Sequence, residues 1–425
     1  MSTHYPVVIV GGGQAGLSLS YYLAQQGLDH LVLEKNQIGH AWRSERWDSF
    51  CLVTPNWQCT LPDFDYSGPE PEGFMVRDEI VDYLESFVKS FNPPIQEGVE
   101  VVRLKQQAGG FQLTTSQGEL TTDQVVVATG AYHRPKIPAI ANQFPRHIIQ
   151  LHSRDYKSPE GLPDQPILVV GTGQSGCQIA EDLHLAGKQV HLCVGSAPRS
   201  PRRYRGKDVV DWLHRLGYYD LTVDEHPDKE NVRHKTNHYL TGRDGGREID
   251  LRQFALEGMK LYGRLTDIGG TKISFQADLK QNLARADDVA ASIKRTIDKF
   301  IADNGIDAPE ETPYVPVWEP EGASLLLDWH AANIGSVIWC LGFDSDFRWV
   351  EIPVFNGKGY PAHHRGITTI PGLYFLGLPW LHTWGSGRFS GISRDAGYIA
   401  KQILTRQQFM GLSNINSINE VALGS

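Results

Sequence analysis

The chain has 425 residues, 40% of them hydrophobic, and 40 Lys and Arg stand against 49 Asp and Glu for a formal net charge of −9. That length supports two or three domains, each with its own core. The negative balance excludes bulk attraction to nucleic acid, and no apolar run approaches the ~18 residues of a membrane span. Residues 1–6 lack the basic and apolar regions of a signal peptide, so a cytoplasmic location is the expectation. In chain order, apolar residues 7–10 predict a strand that leads into Gly11, Gly13 and Gly16, and residues 30–33 predict a second that ends in Glu34 and Lys35. A helix is predicted over 78–91, and alternating stretches at 99–104, 111–115 and 124–128 predict a small sheet leading into Thr129 and Gly130. Residues 167–170 open a second βαβ unit at Gly171, Gly173 and Gly176. Leu283, Val289, Ile293, Ile297 and Ile301 predict a packing helix over about 280–304. Buried strands are predicted at 336–342 and 372–376, and the residues after Gln407 read as a frayed end.

The two glycine runs carry the chemistry. In each, the first glycine turns out of a strand, the second lets the backbone approach a diphosphate, and the third lets helix and strand pack closely. The cofactor-binding candidates are Gly11, Gly13, Gln14, Ala15 and Gly16 in the first loop, and Gly171, Gly173, Gln174, Ser175 and Gly176 in the second. After the first loop, Glu34 and the adjacent Lys35 fall where a carboxylate accepts bonds from adenosine ribose hydroxyls, which suits FAD or NAD. After the second, Val194 takes the equivalent place and a basic run follows with Arg199, Arg202, Arg203, Arg205 and Lys207. Guanidinium groups there suit the 2′-phosphate of NADPH, with a solvated surface as the alternative.

The fold class expected is therefore α/β, with two Rossmann-like dinucleotide-binding domains, one for FAD and one for NADPH, the second inserted in the first. Residues 1–160 and 336–408 form the FAD domain, 161–335 the NADPH domain with a helical and aromatic insertion, and 409–425 a flexible tail. The five cysteines, Cys51, Cys59, Cys177, Cys193 and Cys340, show neither CxxC nor CxxxxC spacing and read as packing thiols rather than a redox pair. No metal is expected. A small-molecule substrate is the expected partner, with a homodimer compatible and nucleic acid not. Aromatic residues Trp212, Tyr218, Tyr219, His238, Tyr239, Tyr262, Tyr314 and Trp318 offer a substrate wall, or equally a packed core.

In their order along the chain, the segments 11–16, 39–43, 54–57, 128–130, 152–156, 171–176, 201–206 and 372–377 resemble the flavin-containing monooxygenases, in particular the plant YUCCA-type enzymes and bacterial flavoproteins often linked to potassium transport. The resemblance implies that Trp42 and Arg43 approach the flavin, and that Gly377, Gly385, Gly387, Arg388 and Gly391 shape a turn before a helix whose N-terminus faces the flavin pyrimidine edge. It also implies catalytic parts for Asn56 and for His152. His152 sits in a linker of the form FxGxxxH followed by Tyr156, although Arg146 stands where Phe and Ile148 where Gly are usual. A turn-forming asparagine and a linker anchor are the structural alternatives for the two. The activity implied is NADPH-dependent reduction of FAD, reaction with O2 as co-substrate, and oxygenation of a small organic molecule through a C4a-(hydro)peroxyflavin. A flavin oxidase or dehydrogenase of an amine-like substrate, and a non-enzymatic FAD-binding redox sensor or subunit, stay open as alternatives.

Overall fold

The computed structural model describes residues 3–322 and 324–423, with 411–423 described by backbone alone. Two sheets organise it. In the first, the strands run in the order Ile95–Glu97, His30–Glu34, Thr3–Val10, Gly118–Val127, Gly110–Thr115, Val101–Gln107, and Leu373–Phe375 also pairs with Gly118–Val127. Val8 pairs in parallel with Leu31 on one side and Val125 on the other, and the returning strand lies parallel to residues 125–127. The hairpin strands 101–107, 110–115 and 118–127 are antiparallel. Val7, Val8 and Ile9 have no exposed surface, as a parallel strand covered on both faces requires. The helices Gln14–Gln25 and Ile392–Leu423 pack together on this domain.

The second sheet has five strands, all parallel, in the order Ile149–His152, Ser336–Trp339, Ile167–Val170, Val190–Cys193, Lys260–Tyr262. Its membership moves the expected boundaries. Residues 149–152 lie in the second sheet, before the expected break at 160, and Ser336–Trp339 is an interior strand of it, between 149–152 and 167–170, not the start of the return to the first. Apolar periodicity finds a strand but not the sheet that receives it. The long helix predicted near 280–304 is Leu279–Asp303, with Leu283, Ala286, Ala290, Ile297 and Ile301 buried along one face. Helix Ile392–Leu423 runs through the segment expected to be a flexible tail, up to Leu423. Once nucleated by packing at its start, a helix extends at little cost through residues without proline.

Candidate functional site

The first glycine loop turns out of Thr3–Val10 into the helix Gln14–Gln25. Gly11 takes φ +112°, and a Cβ there would approach the Ala128 carbonyl oxygen to 2.6 Å, so the first glycine is demanded by the neighbouring strand. Gly16 lies against the Gly11 carbonyl, closing helix onto strand. Gly13 differs from both: a Cβ on it would meet no atom of the protein within 4 Å, and the space it faces is the one a diphosphate takes at a helix N-terminus. Beside this cradle the Thr129 hydroxyl is buried with no hydrogen-bond partner among the described residues. Glu34 accepts from the Gly12 amide at one oxygen and the Asn36 amide at the other, both at 2.8 Å, so one lone pair of each oxygen remains for a ribose. Lys35 is exposed next to it. Gln14 donates to the Gly387 carbonyl at 3.0 Å, and a Cβ on Gly377 would lie 2.7 Å from that of Ala15, so the returning segment closes over the start of this helix. These residues fit a dinucleotide.

The second loop repeats the geometry. Gly171 takes φ +104° with the Cys340 carbonyl 2.8 Å from a would-be Cβ, and Gly176 lies against the Gly171 carbonyl. Gly173 is again open, with only the Thr236 methyl at 3.9 Å. Gln174 and Ser175 begin the helix Gln174–Leu185 above it. Two arginines of the basic run expected at this cradle are neutralised instead. Arg199 is 3% exposed and lies between Asp287 (3.2 Å), Asp250 (3.4 Å) and Glu248 (3.7 Å), with the Tyr314 ring at 4.4 Å. Arg202 is 1% exposed, pairs with Asp208, and donates to the Val53 carbonyl at 2.7 Å. Both charges are spent on acids of their own domain. Arg203 is exposed, with one 3.3 Å bond to the Gly245 carbonyl and no ion pair among the described residues, so it alone of the three keeps a free charge.

Residues of both domains meet between the loops. Thr236 stands at Gly173, and its neighbour Asn237 accepts from Arg388 at 3.1 Å, linking the second loop to the Gly377–Gly391 segment of the first domain. Trp42 stacks on Phe389 at 5.8 Å. Arg43 departs from its implied place: it is exposed and paired with Glu85. The guanidinium that turns inward is Arg46, which sequence reasoning missed. It lies 5.1 Å from the Trp42 ring, three residues on from the residue chosen and just past the end of the helix His40–Ser44. Asn56 and His152 are occupied by backbone. The Asn56 amide donates to the Glu70 carbonyl at 2.9 Å and accepts from the Met75 amide at 2.6 Å, pinning residues 70–75. His152 accepts from the Arg154 amide at Nδ1, so Nε2 carries the proton given to the Gly342 carbonyl at 3.0 Å, and burial lowers its pKa. The aromatic place missing at Arg146 in the linker is filled two residues earlier by Phe144, buried against Trp329 and Trp339.

One carboxylate ties the halves. Asp182 accepts from Ser49 of the first domain at 2.7 Å, from Tyr156 of the linker at 2.7 Å, and from Arg243 of the insertion at 2.5 Å. The next linker residue, Lys157, reaches the carbonyls of Ser44 and Arg46. Of the expected substrate wall, Trp212 is fully buried and hydrogen-bonded to the Tyr204 carbonyl, Tyr239 and Tyr262 are core, and Tyr314 bonds Asp250. Tyr219 is buried, 4.7 Å from Trp384, with Tyr218 packed on its edge. The five cysteines are buried and free, and burial raises the thiol of Cys51 to about 11 and of Cys59 to about 12, far from thiolate chemistry at neutral pH.

The family model for pyridine nucleotide-disulphide oxidoreductases matches residues 8–255, which span both glycine loops. The chain belongs to that family. It is 33% identical over 402 residues to an uncharacterized CzcO-like oxidoreductase of Geobacillus kaustophilus, covering 94% of this chain and 98% of that one. It is 32% identical over 219 residues to the probable indole-3-pyruvate monooxygenase YUCCA8 of Arabidopsis thaliana, 48% of this chain and 50% of the plant protein. The fold matches a flavin-containing monooxygenase from Stenotrophomonas maltophilia with TM-score 0.64 at 18% identity, over 95% of this chain and 99% of the other. The expected resemblance to flavin monooxygenases and the expected Rossmann-like α/β class are borne out. Among the described residues, no helix is long and apolar enough to cross a membrane.

Proposed function

We propose that the protein is an FAD-dependent monooxygenase, reduced by NADPH, that oxygenates a small organic substrate. The observation that carries this reading is the pair of open cradles at Gly13 and Gly173, one on each sheet and joined through Thr236, Asn237 and Arg388, in a chain whose five thiols are all buried. Bound FAD supplies hydride acceptance and oxygen activation; the protein supplies position, exclusion of water and charge. The Gly13 amide and the helix start behind it hold the FAD diphosphate, Glu34 holds the adenosine ribose through its remaining lone pairs, and Thr129 gives its unpaired hydroxyl to the cofactor. Gly173 and the helix from Gln174 hold the NADPH diphosphate, with Arg203 as the charge free to meet a 2′-phosphate. Asn56 and His152 act as positioning residues, since their polar atoms fix the 70–75 loop and the linker. Trp42, stacked on Phe389, and Trp384, beneath Arg388, pack where the two domains meet and keep water from the cofactors there.

Anaerobic mixing with NADPH tests the reading. The flavin absorbance bleaches without any organic substrate, and faster with NADPH than with NADH. Bleaching only by an organic reductant would assign an oxidase or dehydrogenase instead, and bleaching by neither would leave a non-enzymatic flavoprotein.

A further inference from the structure

A cavity of about 510 Å³ opens on the first domain, away from both glycine loops. Pro371 and Gly372, which line it, precede the strand Leu373–Phe375, whereas Gly377, which closes over the first loop, follows that strand. The cavity and the cradle therefore stand at opposite ends of one strand. Its volume falls within the ~300–1,000 Å³ of small-molecule sites. Ile367, Ile370, Pro371 and Tyr374 line one side, and the helix Ile392–Leu423 lines the other with Gln402, Arg406 and Phe409. These three are spaced four and three residues apart, on one face of the helix, and span about 10 Å along it. The groove is thus elongated, with apolar walls and one cation.

That cation is without a counter-ion. Arg406 is half-buried, its Nε is buried, and it has neither a hydrogen bond nor an ion pair among the described residues. Its side chain crosses the turn at Gly372, where a Cβ would lie 3.1 Å from the Arg406 Nε. Asp123 borders the same turn through its carbonyl oxygen, but its carboxylate is turned to His4 at 3.4 Å. Tyr374 donates its phenol proton to Gln124 Oε1 at 3.1 Å. A guanidinium partly withdrawn from water with its donors unused is costly until an anion meets it.

We propose that this cavity binds an alkyl carboxylate, its head on Arg406 and its chain along Ile367, Ile370 and Phe409. A planar guanidinium fork matches a carboxylate. No second cation lines the cavity, which suits a monoanion over a phosphate monoester of about −1.5 to −2 charge. The aliphatic wall and the length of the groove suit an extended chain, whose methylenes leave water there. Phe409 is 66% exposed at the rim, so a second copy of the chain seating its own Phe409 in the groove is the competing occupant. The site does not depend on the redox chemistry proposed for the cradles.

Calorimetry on the flavin-loaded protein, with octanoate, butanoate and neutral 1-octanol as probes, tests the site. Octanoate binds about tenfold more tightly than 1-octanol, the worth of a charge-assisted contact, and each methylene from butanoate to octanoate tightens binding about fourfold. Arg406→Gln weakens octanoate about tenfold, to the level of 1-octanol. Arg406→Glu inverts the preference, so that octylammonium binds more tightly than octanoate, which an arginine with a merely structural part would not produce. Flavin content holds in both variants. Should the glutamate variant fail to fold, the glutamine variant and the parent series decide. Failure of the parent to bind octanoate overturns the proposal, as do equal binding of octanoate and 1-octanol, indifference to chain length, and undiminished octanoate binding in Arg406→Gln. A dimer in sedimentation that Phe409→Ser dissolves and octanoate does not also overturns it, and gives the groove to a second copy.

Discussion

Replacing Gly13 with alanine separates cofactor binding from folding. Gly13 has φ −80° and ψ −178°, which any residue adopts, and a methyl on it would meet no protein atom within 4 Å. The apoprotein therefore gains about 0.4–1 kcal/mol, because alanine has less freedom to lose on folding, and melts roughly 1–4 °C higher. The same methyl occupies the space assigned to the FAD diphosphate, and overpacking of about 1–3 kcal/mol weakens FAD roughly five- to a hundred-and-fifty-fold. Gly16→Ala is the contrast. Its methyl runs into the Gly11 carbonyl, so the apoprotein itself loses about 1–3 kcal/mol and melts roughly 2–12 °C lower. Melting curves of the flavin-stripped proteins and FAD titrations followed by flavin fluorescence give both quantities. An unchanged FAD affinity in Gly13→Ala would refute the assignment of the cradle, and destabilised apoprotein there would refute the open space itself.

Gly173→Ala leaves flavin bound and weakens NADPH, read as slower anaerobic bleaching at low NADPH; loss of flavin instead would mean the two sites are exchanged. Arg203→Ala raises the NADPH concentration needed for bleaching about ten- to a hundredfold with little change for NADH, whereas Arg202→Ala strands the buried Asp208 carboxylate and costs about 3–5 kcal/mol of stability by denaturant midpoint. His191, buried against Tyr262 with its pKa lowered from 6.5 to about 4 mainly by desolvation, adds a stability that is full above pH 6.5 and is lost as pH falls toward 4, because the unfolded chain takes the proton first. Between pH 7.5 and 5 its share of the loss is about 2 kcal/mol, and a His191→Phe protein shows a correspondingly flatter profile by urea midpoints.

The local parts of this site were legible in the sequence because each depends on near neighbours. Gly11, Gly13 and Gly16 announce their strand, turn and helix within ten positions, and Glu34 follows at the end of the next strand. What escaped depends on residues far along the chain. Arg199 and Arg202 read as a cofactor-facing run because Glu248, Asp250 and Asp287, which neutralise Arg199, lie some fifty to ninety positions on, by subtraction from 199. Asp208, which neutralises Arg202, is close by but reads as surface until it is seen buried as the cap of the helix Val209–Arg215. Arg43 and Arg46 are equivalent on paper; only the position of Glu85 on the helix Arg77–Phe91 decides which of them is drawn outward. Ser336–Trp339 was recognised as a strand and assigned to the wrong sheet for the same reason, since its partners begin at Ile149 and Ile167.

The carboxylate of Asp182 bears on how the molecule can move. Ser49 belongs to the first domain, while Tyr156 of the linker and Arg243 of the insertion hold the same carboxylate from the second, so a swing of the domains would pull on this single rivet through Ser49. A joint made this way resists small displacements, because the domains part only once the Ser49 bond to that carboxylate is broken. With Lys157 strapped to the Ser44 and Arg46 carbonyls immediately beside it, release of that rivet would shift Trp42 and Arg46 in the same stroke.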